Sequence, residues 1–224
     1  LHKLSETVLS GVCDLFAVRR EWIDGAESTV YEVHDFYKSP RDFESFLEKL
    51  QKINPEGSLS GILAVPTEKS NDGRAIILLE ESIGTIGDKE IYRYHICENW
   101  SFTYWKARAY LTSCIAIAWK KRNYIHGIHL PFKQLERIAD GETILGWQGE
   151  GVCMLGQKSW HPEDMALEPD HFLKGIDPEN NNFGLKSGLA LWLKLADQGL
   201  MDSSFGAAPT GKFQQKLNLL TKGA

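Results

Sequence analysis

The sequence predicts an α+β fold: a mainly antiparallel sheet packed against a long central helix, with a more irregular helical C-terminal part. Three observations predict it. Three strand-like runs follow one another between residues 59 and 98, joined by short Asn-, Asp- and Gly-bearing connections. An apolar stretch at helical spacing comes directly after them, from 99 to about 123. Prolines and glycines then break the remaining chain into short pieces.

Taken in order, "SETVLSGVCDLFAVRREWI" places Val8, Leu9, Val12, Leu15, Phe16 and Trp22 at helical spacing behind the cap Ser5, and reads as one helix. "TVYEVHDF" (29 to 36) mixes β-branched and aromatic residues and reads as a strand. "SPRDFESFLEKLQKI" offers Ser39 as N-cap, Pro40 as first helical residue and Phe43, Phe46, Leu47 and Leu50 on one face. The runs "LSGILAVPT", "RAIILLEES" and "EIYRYHIC" form the meander. In the last of these a period of two puts Tyr92, Tyr94 and Ile96 toward a core and Arg93 and His95 toward solvent or a groove. The helix from 99 to 123 carries an unusually wide apolar surface, with Tyr104, Leu111, Ile115, Ala118 and Arg122 near one line and Trp105, Ala109, Ala116 and Trp119 beside it. "PFKQLERIA" reads as a short helix, "TILGWQGEGVCMLG" (143 to 156) as two short strands about a turn, and the segments around Pro162 and Pro169 as helical turns. Two amphipathic helices close the chain. The linker-like "GIDPENNNFG" (175 to 184) divides a main domain, 1–175, from a helical extension, 185–224.

Composition narrows the function classes. A net charge of -5 over 224 residues gives no global attraction to nucleic acid or membrane, although it leaves local patches open. The longest apolar run, 111 to 119, is far short of the roughly 20 residues that cross a bilayer. Cys13, Cys97, Cys114 and Cys153 never form a CxxC pair, which predicts a reducing, cytoplasmic setting rather than a disulfide framework.

The stretch "KKRNYIHGIHLP" (120 to 131) holds the candidate chemistry. If the long helix continues, Arg122 and His126 form an i, i+4 pair and become candidate catalytic residues. An arginine followed by a histidine near the end of a buried helix resembles the R-x4-6-H motif of HEPN-type ribonucleases. Here only three residues separate the two, and the β-rich first hundred residues do not suit an all-helical domain. The plainer reading has Lys120, Lys121 and Arg122 complementing a helix C-terminus that Gly127 terminates. His126 and His129 are also candidate ligands for a divalent metal, in a metal-dependent hydrolase reading that requires further converging ligands. Cys153, with His161 nearby in sequence, is the cysteine best placed for nucleophilic chemistry, while Cys13 and Cys114 read as inert core residues. "GAAPTGKF" matches the start of a phosphate-binding loop but carries Phe213 where a hydroxyl is needed, with no strand before it.

The broadest signal is distributional. Lys106, Arg108, Lys120, Lys121, Arg122, Lys133 and Arg137 face only Glu136 across 106–137, interleaved with Tyr110, Trp119 and Tyr124. This pattern predicts a nucleic-acid-binding or nucleic-acid-processing protein that meets phosphate through Lys120, Lys121, Arg122, Lys133 and Arg137. The alternative is a non-enzymatic interaction or regulatory module that meets a protein partner through its acidic remainder and C-terminal helices.

Overall fold

The structure is a computed structural model, and it describes residues 5–67, 73–146, 152–155 and 159–222, without the side chains of 153 and 154. The meander forms as β2 (Leu59–Pro66), β3 (Arg74–Ile86) and β4 (Lys89–Ser101), antiparallel throughout. The sheet is nonetheless mixed. The short β1 (Val33–Asp35) adds parallel to β4, with Val33 opposite Ile96. A strand absent from the sequence reading, β5 (Ile125–Leu130), adds parallel to β2, with Ile62 opposite His126. The order is β1-β4-β3-β2-β5. Each parallel partner is reached by a crossover, because parallel neighbours cannot be joined by a tight turn.

Helices cover both faces. On one face, α3 (Pro40–Ile53), α4 (Trp105–Lys120), α8 (Phe183–Asp197) and α9 (Thr210–Lys222) share a core that contains Phe43, Leu47, Ile77, Leu79, Ile115, Trp192 and Phe213. On the other, α5 (Phe132–Ala139) buries Leu135 and Ile138 against Ile62, Ile76, Leu78 and Ile96. The two cores follow from the alternation of β3, in which Ile77 and Leu79 point one way and Ile76 and Leu78 the other. Helix α4 is buried from Ala107 to Trp119 except at Tyr110, which explains its wide apolar surface.

The departures from the sequence reading have local causes. The strand β4 runs on through Ser101, so α4 starts at Trp105 rather than near 99. The first helix breaks into α1 (Glu6–Phe16) and α2 (Arg20–Ile23), because Ala17 takes a left-handed conformation and Val18 pairs with Tyr31 as an isolated bridge. Around 143–156 the described residues show no strand; Val152–Leu155 form a single 3-10 turn. The Cys153 side chain lies outside the described residues. The extension 185–222 packs on the same core as α4: Trp192 and Phe213 stack with ring centroids 3.5 Å apart. Even the linker-like segment is tied down, with the Asp177 amide donating to the Thr103 carbonyl at 2.9 Å.

Arg108 joins the halves. It is 1 % exposed, and its guanidinium donates to the carbonyls of Phe102, Phe172 and Lys174. These close the turn before α4 and the end of α7 (Pro169–Leu173), which follows α6 (Asp164–Leu167).

Candidate nucleic-acid interface

Helix α4 stops because Arg122 adopts φ 62, a left-handed conformation usual for glycine at a helix end. The Arg122 amide still donates to the Trp119 carbonyl and that of Asn123 to Ala118, which closes the last turn. From there the chain is extended and alternates: Asn123, Ile125 and Gly127 are buried, while Arg122, Tyr124 and His126 are exposed. Asn123 is held by Gln51, whose amide donates to its Oδ1 at 3.0 Å.

Trp119 organises what lies beside this exposed row. Its Nε1 donates to the Ile125 carbonyl at 3.2 Å, which fixes the indole along the outer edge of β5. Tyr124 meets that indole edge-on at 4.8 Å, and the His126 ring lies 6.4 Å away. Phe205 stacks over it at 6.1 Å and 25°. Phe205 comes from a small turn closed by reciprocal bonds between Ser203 and Gly206, with Asp202 accepting from the Ala208 amide. Trp119 is only 9 % exposed, but Tyr124 is 44 % and Phe205 67 % exposed. Two large aromatic rings therefore stand in solvent against a buried third.

The cations predicted to meet phosphate do not make one patch. Lys120 pairs with Asp202 at 3.2 Å. Lys121 pairs with Glu48 at 2.6 Å and Glu44 at 3.2 Å, and the Glu48 bond holds its ammonium pKa up. Arg122 has no ion pair among the described residues. Lys133 and Arg137 are exposed on α5, beyond the far end of β5, which is about 20 Å long at roughly 3.3 Å per residue. Arg108 is spent inside the protein, and Lys106 lies over the Trp105 ring. Of the predicted set, Lys120, paired with Asp202, and Arg122, two residues before Tyr124, lie nearest the aromatic platform; His126, a catalytic and metal candidate, lies beside Trp119.

Three geometric expectations are corrected. Arg122 and His126 are not an i, i+4 helical pair, because the helix ends before them; they flank Tyr124 on an extended chain, with α-carbons about 13 Å apart at that rise. His126 and His129 stand three apart on a strand and so point to opposite faces, His126 toward Trp119 and His129 toward Trp160. Among the described residues no group of three or more His, Cys, Asp or Glu side chains could hold a metal ion. Gly127 is not a helix terminator either. A Cβ there would sit 2.3 Å from the Trp160 ring, and the two residues exchange backbone hydrogen bonds at 2.8 and 2.9 Å.

Phe205 escaped the sequence reading altogether. The available signal was a lone aromatic in the small and polar run "DSSFGAAP", where burial could not account for it. No helix among the described residues is long and apolar enough to cross a membrane. The chain matches no known protein family, no curated protein and no solved structure.

Proposed function

We propose that the protein binds single-stranded nucleic acid at the edge of β5, stacking bases on Tyr124 and Phe205 while Arg122, Lys120 and His126 meet the backbone. The observation that carries the reading is the pair of solvent-exposed rings seated on Trp119, with Tyr124 two residues along from the exposed Arg122, which has no ion pair among the described residues. Every base offers a π-face, so such a platform tolerates sequence and favours unpaired strands over duplex. Lys133 and Arg137 fall outside this footprint, Lys121 is occupied by two carboxylates, Glu44 and Glu48, and the exposed Lys120 exchanges its single partner among the described residues, Asp202, for phosphate.

The charge balance sets the expected character of binding. With one or two phosphates neutralised, the logarithm of the binding constant falls with that of salt at a slope of only about -0.7 to -1.4. Stacking supplies most of the affinity. Fluorescence anisotropy with a labelled 12-nucleotide RNA, the matching DNA and their duplexes tests this across a salt series, with tryptophan emission recorded in parallel. Single strands bind with that shallow slope and change the tryptophan emission, a change lost in Trp119→Phe. Absence of binding, or a preference for duplex, overturns the reading and favours a protein partner for the same aromatic surface.

A further inference from the structure

A second concave site lies between α1, α3 and the sheet, away from β5. It encloses about 510 Å³, within the range of small-molecule sites. Its floor is made by His34 of β1 and by Arg93 and His95 of β4, and Phe46, Lys49 and Leu50 of α3 form one wall. Beside the floor on the neighbouring strand, Glu81 of β3 stands opposite Arg93, is 2 % exposed, and has one carboxylate oxygen 3.2 Å from His95 Nε2 and 3.7 Å from Arg93. Arg93 is fixed from the other side as well, since its Nε donates to the Leu15 carbonyl at 3.1 Å. His95 is 6 % exposed and held edge-on by Phe46 at 5.5 Å, and His34 lies 6.3 Å from it.

The groups are sorted by depth. Those lining the floor are nitrogen-bearing, and the carboxylates that line the cleft, Asp14, Glu21 and Glu32, are exposed at its rim. Glu81, beside them on β3 and closed off from solvent, holds Arg93 and His95 in place. We propose that this cleft is a binding site for a small molecule with an oxyanion group, carboxylate or phosphate, which Arg93, His95, His34 and Lys49 receive while Phe46 and Leu50 pack its apolar part. Fixing the guanidinium and the His95 imidazole before the ligand arrives removes much of the ordering cost of binding.

Binding is proton-linked. Burial holds the His34 pKa below its ordinary value, opposed by Glu32 and assisted by His95 and Lys49. The imidazole is then neutral at pH 7 and becomes a charged donor as pH falls, so the anion binds more tightly in acid. The other ionisable groups lining the cleft are Cys13 and Asp14 of α1, Arg19, Glu21 of α2, and Arg93 and Tyr94 of β4. Imidazole NMR signals of the full chain, titrated with inorganic phosphate and separately with acetate at pH 6 and pH 8, test the proposal. At least one anion gives saturable shifts at His34 and His95, and whichever binds more tightly identifies the group; acetate, whose own charge is constant between pH 6 and pH 8, binds more tightly at pH 6. Arg93→Met weakens it about tenfold or more, as loss of a charge-assisted hydrogen bond does. Lys49→Met, on an exposed side chain, weakens it in the same direction and keeps the test alive if Arg93→Met does not fold. No saturable shift with either anion overturns the proposal, as does equal affinity in Lys49→Met and the parent.

Discussion

Replacing Arg108 by methionine asks what holds the C-terminal half onto the sheet. The guanidinium has no carboxylate partner among the described residues; it satisfies three backbone carbonyls, Phe102 at 2.6 and 2.9 Å, Phe172 at 2.9 Å and Lys174 at 3.3 Å. Burial pulls its pKa down to about 9, so it remains charged at neutral pH. Methionine fills a similar volume but donates nothing, leaving three acceptors in a site from which water is excluded. Each orphaned carbonyl costs about 1–3 kcal/mol. Removing the buried charge offsets part of this, and a net loss of about 3–5 kcal/mol follows. Urea unfolding measures it: at a slope of roughly 3 kcal/mol/M the midpoint falls by about 1–1.7 M. Arg108→Lys recovers little, because one ammonium cannot replace the planar fork. A loss below about 1 kcal/mol for Arg108→Met would refute the clamp.

Three further outcomes are expected. Phe213→Ala removes the ring stacked on Trp192 and costs about 3–5 kcal/mol; unfolding followed by tryptophan emission and by far-UV circular dichroism stays a single transition, and two separate transitions would show that 185–224 folds apart. Gly127→Ala drives a methyl into the Trp160 ring and lowers stability by about 1–3 kcal/mol, seen as a lower Tm and a changed near-UV tryptophan signal; an unchanged Tm would contradict the packing. Burial works to raise the Glu81 pKa, but His95, Asn54 and Arg93 outweigh it and hold it below its ordinary value near 4.5. A depressed carboxylate contributes stability above its unfolded pKa and loses it as pH falls through the folded one. Glu81→Gln therefore flattens the loss of stability between about pH 5 and pH 3, and an acid limb identical to the parent's would refute the pairing.

What was legible in the sequence depended on how local the cause was. The helix α3 follows from Ser39-Pro40 and the spacing of Phe43, Leu47 and Leu50, and the meander from the turn residues between its strands. The strand β5 was hidden because its glycine answers to Trp160, 33 residues further on in sequence and invisible to any local pattern. Arg122 in a left-handed turn carried no signal, since glycine or asparagine is the usual residue there. The face of Arg93 and His95 was readable from period two, yet their meeting with Glu81 depends on the β3–β4 register, which sets Glu81 opposite Arg93 and Leu79 opposite His95. The aromatic platform depends on a contact between Trp119 and Phe205 that no spacing encodes.

Binding of a labelled 12-nucleotide single strand at fixed salt, compared between Tyr124→Ala and Lys133→Glu, tests the stacking site at the β5 edge. Losing one stacked base costs about 1–3 kcal/mol, so Tyr124→Ala weakens binding roughly 5- to 150-fold, whereas Lys133→Glu, at the far end of β5, leaves it within about twofold. Equal loss in both, or full affinity in Tyr124→Ala, would contradict a stacking site at the β5 edge.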